Sequence, residues 1–132
     1  MLNEDVIMAE KLKKIIMDVD DTITFHNSSP NYDEKLPRLD VIKKMVEYKD
    51  LGYEIILFSA RNMKTYGGDI SKINFYTLPI LTSWLKKHNV PYDGIIMGKP
   101  WCGEEGFYVD DKSIRPKEFL ELSEEEIKQL IK

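Results

Sequence analysis

The chain has little cysteine: Cys102 is the single one in 132 residues. No internal disulfide can form, which excludes a disulfide-framed secreted scaffold. Glycine, at 7, and proline, at 6, are too few for a collagenous or low-complexity chain. Positive charge is also short, since 19 Lys and Arg face 23 Asp and Glu. The formal charge of -4 has the wrong sign for a chain whose main partner is a phosphate backbone. Nucleic acid is therefore not an expected partner, whereas a small phosphorylated ligand is not excluded. No apolar run reaches membrane-spanning length, and the opening residues MLNEDVIMAEKLKK mix charge throughout, unlike a signal peptide. The expectation is a cytoplasmic, reduced protein with no membrane partner. What is present, 42% hydrophobic and 32% charged residues, suits one domain, 1–132, with one contiguous core.

Residues 1–12 read as a polar leader, and Lys14 to Met17 as a buried strand that ends in Asp18. Thr24 to Lys35 is rich in turn formers and reads as a loop. Pro37 opens a helical pattern with Leu39, Ile42, Met45 and Val46 on one face, and Gly52 stands where a left-handed cap is wanted. Tyr53 to Phe58 is a strand suited to burial on both faces, and it delivers Ser59 at its end. A second loop, Ala60 to Lys72, precedes a helix with Ile73, Tyr76, Ile80 and Trp84 on its apolar face and Leu81 and Leu85 as further candidates for it, where Pro79 marks a first turn or a kink. Gly94 to Met97 is a third strand and Phe107 to Val109 a fourth, ending beside Lys99 and the pair Asp110-Asp111. Pro116 starts a last helical region, and Ser123 with Glu126 has capping-box spacing. This alternation predicts an α/β domain with a mostly parallel, Rossmann-like sheet. Ligands of such sheets bind at the carboxyl ends of strands, where Asp18, Ser59, Lys99 and Asp110 all fall.

The segment Asp18-Val19-Asp20-Asp21-Thr22 sets two carboxylates two residues apart where a strand gives way to a loop. Carboxylates there are costly to desolvate unless a cation or a proton compensates. With Asp110 and Asp111 they form an oxygen-rich set suited to a hard cation, and Mg²⁺ takes one or two carboxylates, waters and a substrate phosphate oxygen. Lys99 adds positive charge for a phosphate, and Ser59 with adjacent N–H groups can hydrogen-bond a phosphoryl oxygen. The outline is that of a phosphoryl-transfer site.

DVDDT, FSAR, GKP and YVDD, in that order over about Lys14 to Pro116, resemble the four motifs of the haloacid dehalogenase superfamily. That resemblance implies a three-layer fold. It implies Asp18 as the nucleophile that becomes a phosphoaspartate, and Asp20 as the acid that protonates the leaving oxygen and then activates water. Ser59 would bind the phosphoryl group, Lys99 would stabilise the phosphoaspartate, and Asp110 would hold Mg²⁺ with Asp18 and the Asp20 carbonyl, Asp111 standing behind as an orienting group. Thr22 would tie the loop to the strand. The acid at Asp20 separates phosphate-ester hydrolysis from dehalogenation, while Asp21 stands where many relatives carry Gly.

The 41 positions from Asp18 to Ser59 and the 40 from Ser59 to Lys99 leave no room for a folded cap, so a capless member is expected. Substrate choice then falls to the two loops. Ala60, Arg61 and Lys64 are candidate phosphate contacts, His26, Asn27, Tyr32 and Tyr66 candidate hydroxyl partners, and Trp101 a stacking surface. Cys102, Trp84 and His88 read as structural. The strings LPRLDVI, ARNMKTY, INFYTLPIL and GKPWCGEEGFYVDD resemble small capless members that accompany bacterial capsule and surface-polysaccharide genes, which implies a sugar or polyol phosphate substrate. A homo-oligomer is a further possibility, with a sheet edge or the loop near Gly67 at its interface. The rivals are a receiver-type signalling domain and a phosphate-binding protein without turnover. The receiver order disagrees, because the third strand ends at Gly98-Lys99 without an acid.

Overall fold

Three isoleucine-rich runs, KIIM, EIILFS and GIIM, form the strands, as β-branched chains on a pleated surface favour. In a computed structural model that describes residues 13–26 and 28–132, they are β1 (Lys14–Met17), β2 (Glu54–Ser59) and β3 (Gly94–Met97). The polar leader and Asn27 lie outside the described residues. The strands pair in parallel in the order β1-β2-β3, with Met17 opposite Leu57 and Ser59 opposite Met97. All three carboxyl ends therefore point the same way, and the loops that leave them share one rim.

Between β1 and β2 runs α1 (Leu39–Asp50). Its buried face is Val41, Ile42, Met45 and Tyr48, so Leu39 and Val46, expected inside, are exposed. The face is turned because the aromatic Tyr48 goes in, stacked on Phe119 at 5.3 Å and edge-on to Tyr53 at 5.1 Å. Gly52 has φ +93° and its N–H donates to the Lys49 carbonyl at 3.0 Å, the expected left-handed helix end.

The second helical stretch is continuous but irregular: α2 (Ile70–Lys72), a π turn (Ile73–Thr77) and α3 (Leu78–Lys87). Pro79 has no N–H, so the regular i to i−4 ladder cannot pass through it, and the wider turn sits just before it. That extra residue rotates the helix. Ile73, Thr77, Leu81, Trp84 and Leu85 are buried, while Tyr76 and Ile80, expected on the apolar face, are exposed. Trp84 is tied down by its indole N–H, which donates to the Lys35 carbonyl at 2.8 Å. His88 lies against the Trp84 ring, and burial lowers its pKa, as a structural histidine's would be.

Ile55 and Leu57, fully buried, share one core with Val41, Ile42 and Met45 of α1 and Leu81, Trp84 and Leu85 of α3. The alternate side chains Ile16 and Ile96 are 58% and 52% exposed, so among the described residues the third layer that the resemblance implies does not cover them. Two short helices close the chain. In α4 (Pro116–Glu121) Phe119 is buried against Tyr48, and α5 (Glu124–Leu130) carries the expected capping box between Ser123 and Glu126. The Tyr53 hydroxyl donates to Glu124 Oε2 at 2.5 Å, and burial together with that carboxylate pushes the phenol up to about 12.

Phe107 to Val109 is the main departure from expectation, because it forms no strand. The chain folds back so closely at Gly106 that a Cβ there would collide with the Cys102 carbonyl. Beyond that turn the Tyr108 hydroxyl donates to the Pro100 carbonyl at 2.6 Å. Phe107 and Val109 are left 79% and 87% exposed. Among the described residues, nothing pairs with the outer edge of β1. The architecture is thus α/β around a small open parallel sheet. No helix among the described residues is long and apolar enough to cross a membrane.

Candidate active site

Asp18 leaves the end of β1 and is held by the turn that follows. The Val19 carbonyl accepts from the N–H groups of Thr22, Ile23 and Thr24 at 3.2, 2.8 and 3.3 Å, curling the chain so that Thr22 Oγ1 donates to Asp18 Oδ2 at 3.0 Å. The curl needs a left-handed residue, and Asp21 supplies it at φ +64°. Asp21 also meets His26 Nδ1 at 3.0 Å. The loop is closed at its base by the Thr24–Pro37 bridge and by Arg38 N–H donating to the Ile23 carbonyl at 2.7 Å.

Ser59 ends β2 buried, with both of its polar groups in use. Its carbonyl accepts from Gly98 and Lys99 N–H at 3.1 and 3.0 Å, and its Oγ accepts from Arg61 N–H at 3.0 Å. It therefore sets the backbone of the two cationic residues and does not itself line the cavity. Gly98 permits the turn into Lys99, with φ +93° and Ile70 Cδ1 where a Cβ would stand.

The two cations take different partners. Arg61, fully buried, grips Asp20 in a fork, Nη2 to Oδ1 at 2.8 Å and Nε to Oδ2 at 3.1 Å, while its guanidinium stacks 4.2 Å from the Tyr32 ring centre. Lys99 Nζ faces Asp18 Oδ1 at 3.6 Å, too long for a hydrogen bond, and lies 4.4 Å from the Tyr108 ring centre. Burial pushes the Asp18 carboxyl above its ordinary pKa, and Lys99 and Thr22 pull against that without cancelling it.

Asp18, Asp20, Ala60, Arg61, Lys64 and Lys99 line one cavity of about 450 Å³, with Tyr32, Trp101, Cys102 and Tyr108 on its wall. Lys64 rides over Trp101 at 5.2 Å, so that ring's face is already in use. Tyr66 stacks on Tyr76 and stands outside the cavity. Sequence reasoning missed Tyr108, the cover over Lys99, and named Tyr32 only as a hydroxyl partner, whereas its ring is the platform under Arg61. The only sequence signal for either is an aromatic in a loop, which is weak. A second depression of about 630 Å³, between Thr82 and Tyr92, has Lys86 as its single charged wall residue and no comparable chemistry.

The expected metal set is not assembled. Neither Asp110 nor Asp111 lines the cavity, and Asp110 Oδ1 accepts from Lys112 N–H at 2.8 Å in an exposed turn. The cause is the missing fourth strand, which was to carry Asp110 to the rim. Among the described residues no group of three or more His, Cys, Asp and Glu could hold a metal. Three carboxylates line the cavity and each is engaged, Asp20 by Arg61 through both oxygens, Asp18 by Thr22 and Lys99, and Asp21 by His26. One chain's described residues therefore do not fit Mg²⁺.

These features define an α/β protein whose parallel sheet delivers a carboxylate, its basic partners and a cavity to one rim. No family model matches the chain, and no curated protein matches it. A protein of known crystal structure from Vibrio cholerae is 55% identical over 90% of this chain and 96% of that one, with a TM-score of 0.88. The chain belongs to the family of that Vibrio cholerae protein. A chain of the Pnkp1/Rnl/Hen1 complex is 24% identical, with a TM-score of 0.49, over 83% of this chain and 34% of that one.

Proposed function

We propose that the chain is a phosphatase of the haloacid dehalogenase type, capless, hydrolysing a small phosphomonoester of the sugar or polyol phosphate class through a phosphoaspartate at Asp18. The observation that carries this reading is the different treatment of Asp18 and Asp20 in one cavity. Asp18 has one oxygen oriented by Thr22 and the other only loosely faced by Lys99, while Asp20, two residues on, is gripped by Arg61.

An Asp18 oxygen attacks phosphorus and the ester P–O bond breaks. The leaving oxygen takes a proton from Asp20, and the Lys99 ammonium offsets charge on the phosphoryl oxygens. Water then attacks phosphorus, its proton returns to Asp20, and the Asp18 acyl phosphate opens to inorganic phosphate. Asp20 paired with Arg61 suits the second half, where a carboxylate must take a proton. The first half needs a protonated Asp20, so substrate binding has to loosen the Arg61 fork. Mg²⁺ is the cofactor that the resemblance implies, although Asp110, its expected ligand beside Asp18, stands outside the cavity of this chain.

Hydrolysis of an aryl phosphate with Mg²⁺, with EDTA, and by Asp18→Asn tests the reading. Loss of a nucleophile is expected to cost at least ~10³-fold in kcat, and EDTA is expected to abolish turnover. Asp20→Asn is expected to accumulate phosphoprotein. Activity indifferent to both EDTA and Asp18→Asn sinks the proposal, and stable phosphorylation of the unaltered chain without turnover favours the receiver-like alternative. A panel of sugar, polyol and nucleoside monophosphates then ranks the substrates.

A further inference from the structure

We propose that Lys64 determines the specificity of this cavity, and that the substrate is a small phosphate ester with a second anionic group, a carboxylate or another phosphate, which Lys64 binds at the mouth. The inference rests on the phosphatase reading and names a substrate class for it. Its starting point is a pairing repeated along the cavity wall. Each of the three cations there sits on an aromatic ring: Arg61 on Tyr32 at 4.2 Å, Lys99 on Tyr108 at 4.4 Å and Lys64 on Trp101 at 5.2 Å from the ring centre. A ring face so occupied has no room to stack a nucleobase, so the wall offers a ligand positive charge in place of stacking.

The three cations are not equivalent. Asp20 takes Arg61 through both oxygens, Asp18 faces Lys99, and the third carboxylate of the wall, Asp21, meets His26. Among the described residues Lys64 has no carboxylate partner, and its ammonium has only the Trp101 ring as counterpart. A cation–ring contact at an exposed site is weak, so the ammonium leaves the indole for an anion at little cost. The loop that carries Lys64 is nevertheless fixed. Asn62, left-handed at φ +60°, accepts from the buried Thr77 hydroxyl at 2.8 Å and donates to Thr65 Oγ1 at 3.1 Å. The Gly67 and Gly68 N–H groups donate to the Lys64 and Met63 carbonyls at 3.3 and 2.9 Å. On the facing loop the Tyr108 hydroxyl donates to the Pro100 carbonyl, next to Trp101, at 2.6 Å. Lys64 and Trp101 are exposed whereas the Lys99 side chain is largely buried, so an ester with its phosphate at Asp18 and Lys99 presents its far end to Lys64.

Three esters phosphorylated at the anomeric oxygen, and alike except at the far end of the ring, test the inference. Glucose phosphate has a hydroxymethyl there, glucuronate phosphate a carboxylate, and glucose bisphosphate a second phosphate. Initial rates of the unaltered chain are expected to favour the two esters with a second anion by about tenfold in kcat/KM, carried by KM, as one charge-assisted hydrogen bond supplies. The larger of the two gains identifies the anion. Lys64→Met should erase the preference, Lys64→Arg should keep it, and added salt should shrink it. Binding gives a readout independent of turnover: in EDTA the same two esters draw Lys64 off the indole and should shift tryptophan emission in the unaltered chain but not in Trp101→Phe. Hydrolysis without preference, or a preference that survives Lys64→Met, overturns the role of Lys64 and leaves the phosphatase reading standing. If none of the three is hydrolysed, that reading falls and the emission titration decides the Lys64 site alone. Tighter binding of the two esters that Lys64→Met weakens about tenfold then supports it, and equal or absent binding overturns it.

Discussion

At the amino end of the sheet Asp93 Oδ2 meets Lys49 Nζ at 2.6 Å and accepts the Ile55 N–H at 2.7 Å. At the carboxyl end Asp18 faces Lys99 at 3.6 Å. Burial pushes both carboxyls up. At Asp93 the lysine and the amide outweigh it and the pKa falls, whereas at Asp18 Lys99 and Thr22 do not, and the pKa stays raised. The same two residue types thus make a clamp at one end and an under-satisfied carboxylate at the other. The clamp joins α1 to the start of β2 and β3, while the loose pair leaves an oxygen and an ammonium facing a cavity. A carboxylate short of partners and facing a cavity is compatible with the proposed nucleophilic role, whereas a structural ion pair avoids that state.

The comparison breaks hardest at Arg61, which gives the carboxyl end the tight pairing that Asp18 lacks. Arg61→Lys keeps the charge but loses the fork to Asp20 and the flat contact with Tyr32. Positioned acid–base catalysis is typically worth about 10²–10⁴, so kcat should fall by ~10²-fold with KM changed much less. An unchanged kcat shows that Asp20 is placed without Arg61.

Much of this contrast was legible in the sequence. DVDDT named Asp18 and Asp20, and the runs KIIM, EIILFS and GIIM located the strands, because a short apolar run next to a charged residue is both a buried strand and its exit. The buried faces of α1 and α3 were misread by about one residue each. Periodicity fixes spacing and not phase, and the phase was set by Tyr48 stacking on Phe119 and by the π turn ahead of Pro79. The role of Arg61 was hidden because a basic residue after Ser59 serves a phosphate or a carboxylate equally well. The Phe107–Val109 strand was expected on composition alone. Composition shows that a segment can pair and says nothing of which edge it finds.

The amino-end clamp should break in stability and not in rate. Asp93→Asn leaves Lys49 without its carboxylate and weakens the hold on the Ile55 N–H. The cost is expected to be about 1–2 kcal/mol, discounted for partial exposure. Urea unfolding reads it, and kcat per folded molecule should be unaltered. A drop in kcat at full folding would show that the two ends of the sheet are coupled.

The smallest effect is the sharpest test, because the two carboxylates carry opposite signs in pH. Asp93 has a folded pKa below 3.8, so its stabilisation is fully present above that value and fades as pH falls through the folded pKa. Asp18 has a folded pKa above 3.8, so the native state holds its proton more tightly than the unfolded chain. A stability penalty therefore begins as pH rises past 3.8 and is complete once the folded pKa is passed. Thermal melts of the unaltered chain, Asp18→Asn and Asp93→Asn, taken from about pH 3 to about pH 7, separate the two. Asp18→Asn should gain on the unaltered chain as pH rises, by roughly 1–4 °C at the neutral end, and Asp93→Asn should lose ground over its own range. If Asp18→Asn instead loses stability towards neutral pH, Lys99 clamps Asp18 as Lys49 clamps Asp93, and the carboxyl end holds a second structural pair rather than a poised nucleophile.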